Sequence, residues 1–178
     1  MADAFTHPNR LARTLARLDK LPAPLRQAVR NLALRRAVPF TGTARLGFAV
    51  MTPEKVEITI ANQRRVQNHI QGVHAAAMTL LAETATGMVV GMNVRDDCLP
   101  LAKALSVQFK RRSQGDMRAV ARLSAQQRQL MQSQDKGEVV VPVTVTDASG
   151  EAPIVCEFIW AWVPSKPSAA PHPTRVPA

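Results

Sequence analysis

Between Val73 and Val94 the only formally charged residue is Glu83, in a stretch dominated by Ala, Leu, Val, Met, Thr and Gly. Keeping a carboxylate ionised in such surroundings is expensive unless it has a partner. Burial raises its pKa toward the range where it can take up and release protons, so one reading of Glu83 is a general base or nucleophile. The other readings are structural: a wet edge of a helix, or a pair with one of the many arginines. Asn68 and His74 lie just upstream, and Lys110-Arg111-Arg112 form a cationic cluster downstream. That cluster reads either as a solvated strand end or as a seat for phosphate, to which Arg and Lys give charge-assisted hydrogen bonds.

Other chemistries find no residues to carry them. Ser106 and Ser124 have no triad partners around them, and no glycine-rich loop follows the Walker or Rossmann pattern. Cys98 and Cys156 form no CxxC and join no Cys/His cluster. A zinc ribbon and a disulfide framework are excluded, and a reducing compartment is implied. Cys156 alternates with apolar positions and is expected in the core. No metal-binding motif is visible.

The elements that must position these residues follow from hydrophobic periodicity. Val56, Ile58 and Ile60 alternate with Glu57 and Thr59, giving a half-buried strand after another at 44–51, across a Thr52-Pro53 turn. Gly72 to Gly91 is apolar nearly all round and too long for a strand, so it reads as a buried helix. Four period-2 segments come next: Leu105/Val107/Phe109, residues 115–124, Val139 through Val145, and Cys156/Phe158/Trp160/Trp162. A short helical insertion is expected over Gln126 to Ser133. Trp160 and Trp162 share a face and read as core or interface. Two strands, one buried helix, then four strands define an α+β domain over 40–163, with a curled antiparallel sheet around a central helix.

The 178 residues carry 23 Lys and Arg against 13 Asp and Glu, a net charge of +10. Residues 1–40 hold +6 of it, with eight basic and two acidic side chains. Leu11, Leu15 and Leu18 recur at helical spacing beside Arg10, Arg13 and Arg17, predicting an amphipathic helix that ends near Pro22-Ala23-Pro24, with a second helix over 24–36. Residues 1–39 therefore read as a basic helical extension, accessory to the body. Its Leu/Arg faces suggest weak contact with an anionic membrane or a partner helix through residues 1–36. With only Phe5 and Phe40 as aromatics and no recognition motif, this segment gives no case for specific nucleic-acid binding. Residues 164–178 contain five prolines and no apolar periodicity, and are expected to be a disordered tail. The first residues lack the apolar core and cleavage site of a secretory signal, and Glu83 interrupts the one long apolar run, 70–94. A cytoplasmic location is expected.

The stretch Asn68-His69-Ile70-Gln71-Gly72-Val73-His74-Ala75-Ala76-Ala77-Met78-Thr79-Leu80-Leu81-Ala82-Glu83-Thr84 resembles the start of the central helix in hotdog-fold acyl-CoA thioesterases of the phenylacetate-pathway and 4-hydroxybenzoyl-CoA types. The element order is theirs as well. Val38-Pro39-Phe40-Thr41-Gly42-Thr43, with Asn68-His69 and Val73-His74-Ala75, is more similar still to an uncharacterised bacterial branch of that superfamily, a domain of unknown function. The resemblance implies Glu83 as the catalytic carboxylate. Asn68 would hold the thioester or the attacking water, and the backbone N–H of Ala75 would polarise the thioester carbonyl. Gly72 and His74 would lie against the substrate, and Lys110, Arg111 and Arg112 would seat the phosphates of coenzyme A. No cofactor is implied beyond the coenzyme A of the substrate. Ala75-Ala76 stands where the pattern has Gly-Gly, and Gly87 where one branch has Thr. Two functions follow as expectations: hydrolysis of a fatty or aromatic acyl-CoA, or non-catalytic binding of an acyl thioester.

Helix geometry adds a constraint. Eight residues separate Ala75 from Glu83, about 12 Å along the axis and about 80° around it. One helix cannot bring both groups to one carbonyl. A shared site requires a second copy of the helix across a two-fold axis, so a homodimer is expected, with further pairing to a tetramer left open.

Overall fold

The computed structural model describes residues 8–165. In the described part, α1 (Arg10–Leu18) and α2 (Ala23–Ala37) come first, then a one-turn α3 (Pro39–Thr43). Strands β1 (Gly47–Met51) and β2 (Lys55–Ile60) lead to the long helix α4 (Ala75–Gly91). After it come β3 (Cys98–Phe109), β4 (Met117–Arg122), α5 (Ala125–Ser133), β5 (Gly137–Val141), β6 (Val143–Asp147) and β7 (Ile154–Pro164). All pairings are antiparallel, in the orders β1-β2-β4-β6 and β3-β7-β5. The segment Val139 to Val145, expected as one strand, is two. Pro142 lacks the N–H to continue a ladder, and there the chain passes from β7's sheet to β4's. That break lets the sheet curl.

The expected centre is met. Leu81, Ala82, Ala85 and Val89 of α4 are fully buried, among Val56, Ile58 and Ile60 of β2 and Ala119 and Ala121 of β4. The core also takes in Trp160 and Trp162, so their shared face is the inner one. No helix of the described residues is long and apolar enough to cross a membrane.

The N-terminal helices are built into this body. Ala12, Leu15 and Leu34 belong to the buried cluster, and Leu11 and Leu18 pack against it. The leucine face of α1 thus meets protein, not solvent. A nine-residue amphipathic stripe reads the same in sequence whether protein or lipid covers it. The polar face of α2 has a second task. β1 is an edge strand, and its open side is met by side chains: Gln27 Nε2 donates to Phe48 O (2.9 Å), Phe48 N donates to Asn31 Oδ1 (2.9 Å) and Arg30 donates to Ala49 O (3.1 Å), while just before the strand Arg35 Nε donates to Leu46 O (2.8 Å). Asn9 joins two helix ends. Its Oδ1 caps α1 at Ala12 N (2.9 Å), and its Nδ2 donates to Gly91 O (2.7 Å) and Val94 O (2.6 Å) at the C-terminal end of α4.

The opposite edge is open. β3 borders its sheet, and a bulge between Ala102 and Ala104 shifts its register. Beyond the bulge, Leu105 and Phe109 face the buried Phe158 and Ile154, so they lie on the inner face. Even so, Leu105 and Phe109 are 52% and 53% exposed in the single chain.

Candidate active site

The loop before α4 is folded by its own side chains. Asn68 Oδ1 accepts from Ile70 N (3.1 Å) and Gly72 N (3.1 Å), while Asn68 N donates to Gly72 O (2.9 Å). Gln71 closes this turn with φ of 63°. With its oxygen committed, Asn68 keeps Nδ2 as a donor, and no acceptor for it lies among the described residues. Gly72 leaves room here: a Cβ built on it would lie 3.3 Å from Ser113 Oγ and 3.9 Å from Asn68 Nδ2.

His74 is the N-cap of α4. Its Nδ1 accepts from Ala76 N (3.0 Å), so it carries no proton in this bond, and its carbonyl takes Ala77 N and Met78 N. Ala75 N–H is left without an acceptor among the described residues. A free donor at the positive end of a helix suits a developing oxyanion.

Asn68, Gly72 and Ala75 line one cavity of about 570 Å³, together with Lys110, Arg111 and Arg112. Six of the expected site residues therefore come together. Arg111 is not free to seat a phosphate: its guanidinium pairs with the buried Asp147 (2.9 Å) and with Glu151 (3.2 Å) and donates to Ser149 (2.8 Å). Burial alone would raise the Asp147 carboxyl, but Arg111, Ser149 and the backbone N–H groups of Gln114 and Ser149 hold it well below the usual carboxylate range. Lys110 and Arg112 remain exposed at the rim, Lys110 donating to Gln108 (2.6 Å).

Glu83 is elsewhere. It lines a separate pocket of about 200 Å³ with Leu34, Val38, Phe48, Met88 and Trp160. The residue is half-buried, and it makes no ion pair with an arginine among the described residues. Its one side-chain partner among the described residues is the Thr84 hydroxyl at 3.4 Å. Burial pushes its carboxyl up, opposed weakly by Thr84. His74 faces a third depression, beside Phe40 and Arg65. A cavity of about 590 Å³ opens at the far end of α4 by Asn9, Arg13 and Asn93, and no expected site residue reaches it. Cys156 is half-buried with its thiol pushed up to about 11 by burial, so it is protonated near neutral pH.

Sequence reasoning missed Ser113 and Asn62. Both line the Asn68 cavity, and Ser113 Oγ and Asn62 Oδ1 are buried without a partner in the described structure. It also missed Leu34 and Val38 beside Glu83, although their four-residue spacing on one helix end marked a shared face.

A long buried helix held by a curled antiparallel sheet, with a polar loop at the helix start and a carboxylate midway, defines a hotdog fold. The sequence matches, over residues 26–163, the family described as "Domain of unknown function (DUF4442)". The chain belongs to that family. Among solved structures it is similar to a Pseudomonas aeruginosa protein described as a "Probable Thioesterase", at 23% identity and a TM-score of 0.69, covering 82% of this chain and 97% of that one. A Silicibacter pomeroyi thioesterase family protein is similar at 14% identity and a TM-score of 0.62, covering 78% and 99%. A thioesterase from Haemophilus influenzae gives 10% identity and 0.58, covering 74% and 87%. At these identities the likeness is one of fold. No curated protein matches the chain.

Proposed function

We propose that this chain is a thioester hydrolase that cleaves a fatty or aromatic acyl-CoA to the free acid and coenzyme A. The observation that carries this reading is a pair of groups on one helix: the N–H of Ala75, without an acceptor among the described residues, and, two turns on, the Glu83 carboxylate, without a cation among them. In this reading Ala75 N–H and Asn68 Nδ2 donate to the thioester oxygen. Glu83 takes a proton from water, the hydroxide forms the C–O bond, and the C–S bond breaks. The sulfur leaves as thiolate and receives the proton held by Glu83. Direct attack by Glu83, with hydrolysis of the resulting anhydride, uses the same two atoms of support. Lys110 and Arg112 offer charge to the phosphates of coenzyme A.

Ala75 and Glu83 open into different cavities, so the reading includes a homodimer in which each site takes its carboxylate from the other copy. The open edge of β3 and the uncovered inner-face residues Leu105 and Phe109 support a second copy as the missing neighbour. The methyl groups of Ala75 and Ala76 favour a second reading, in which acyl-CoA binds without turnover. An acyl-CoA panel with detection of the released thiol tests both. Turnover establishes the hydrolase, and binding without released thiol establishes the alternative.

A further inference from the structure

We infer that the pocket beside Glu83 receives the acyl group, that Val38 and Met88 set its reach, and that acyl groups of about the bulk of one ring or a short chain are preferred over long fatty chains. The inference rests on the hydrolase reading for the chemistry but not for the pocket. Apart from Glu83 and the hydroxyls of Thr41 and Thr84, the lining is apolar, so the site offers burial to hydrocarbon and a single ionisable group to what lies beside it.

The depth is fixed by Trp160. Its indole is buried, its Nε1 donates to Thr86 Oγ1 (3.0 Å), and its ring lies against Gly87 so closely that the side wall cannot move toward the helix. Phe48 and Leu34 are also buried, whereas Val38 is 47% exposed and marks the rim. The cavity measures about 200 Å³. An apolar cavity of about 150 Å³ holds one benzene ring, so the space is on the scale of one ring or a chain of similar bulk. A long fatty chain would have to leave past Val38. Two of the walls, Leu34 and Val38, come from α2 and its end, so the N-terminal helices belong to the substrate-selecting part of the molecule.

The test is a chain-length series of acyl-CoAs, from acetyl to palmitoyl, measured as kcat/KM on the full chain and on Val38→Phe and Met88→Ala. Val38 is at the surface and in extended backbone, so phenylalanine is tolerated there. The wild type is expected to favour hexanoyl over palmitoyl at least about tenfold, with the optimum moving shorter in Val38→Phe and longer in Met88→Ala. A wild type indifferent to chain length, or a profile unmoved by both variants, overturns the inference. If no thioester is turned over, the hydrolase reading fails and the pocket is judged by calorimetric binding of hexanoyl-CoA and palmitoyl-CoA. Equal affinity for the two then overturns it, and a preference for hexanoyl that shifts with Val38 and Met88 upholds it.

Discussion

Trp160 and Gly87 are in such close contact that a Cβ built on Gly87 would lie 2.7 Å from Cη2 of the indole. The same ring donates to Thr86, whose hydroxyl donates in turn to the Glu83 carbonyl (2.9 Å). One tryptophan therefore fixes both a pocket wall and the helix turn that presents the carboxylate. Where a related pattern has a threonine at position 87, this chain has the residue its tryptophan requires.

Gly87→Ala tests that contact. Alanine gains about 1 kcal/mol in a helix interior over glycine. Overpacking a filled site costs about 1–3 kcal/mol, and Trp160 has a buried hydrogen bond to lose if it moves. The variant is expected to be less stable than the wild type in urea unfolding. A rise in the midpoint would show that the indole yields without cost.

Glu83→Gln is expected to fold and to lose at least about tenfold in turnover. Stability carries a second signature. Because burial raises the Glu83 carboxyl, in the window above the ordinary carboxylate value the folded chain still holds a proton that the unfolded chain has released. Stability is therefore full below that window and falls as pH rises through the raised value. Glutamine has no proton to lose. Melting temperatures from pH 4 to pH 8 should show the variant gaining on the wild type as pH rises, and parallel curves would mean that Glu83 titrates normally.

The centre of the fold was legible because its signals are local. The all-apolar stretch over α4 and the alternation in β2 each specify an element before any contact is known. Asn68, Gly72 and Ala75 were legible for the same reason, since one turn and one helix start contain them. What stayed hidden depends on distant partners. Arg111 looked like its neighbours until Asp147, 36 residues away, engaged it. The leucines of α1 carry no mark of which surface they meet. Pro142 was a visible break in an alternating run, yet only the pairing of β5 with β7 and β6 with β4 shows that the chain changes sheets there.

The charge and amphipathic spacing of the N-terminal segment suggested a removable accessory. The contacts point to a different outcome. Removing residues 1–36 exposes Phe48, strips three side-chain hydrogen bonds from the edge of β1 and a fourth from Leu46 before it, and takes Asn9 from the end of α4. A buried Leu alone is worth about 2–5 kcal/mol on truncation to Ala, and Leu15 and Leu34 are both lost. The truncated chain is expected to melt far below the full chain or to aggregate. An unchanged calorimetric transition would restore the accessory reading.

The shared site makes the most demanding prediction. Glu83→Gln removes the carboxylate and leaves the helix start intact. Gly72→Pro does the reverse: proline has no N–H to donate to Asn68 Oδ1, so the turn that presents Asn68 and precedes Ala75 loses one of its two side-chain bonds, while Glu83 is untouched. Each homodimer then lacks one component at both sites. A mixed dimer regains one complete site, from the helix start of the Glu83→Gln copy and the carboxylate of the Gly72→Pro copy. After fold and subunit exchange are established for both variants, the mixture is expected to recover activity well above either parent, up to half the wild-type turnover per mixed dimer. Recovery no greater than the sum of the parents would refute the shared site, and an active monomer of the wild type would refute it without any mixing.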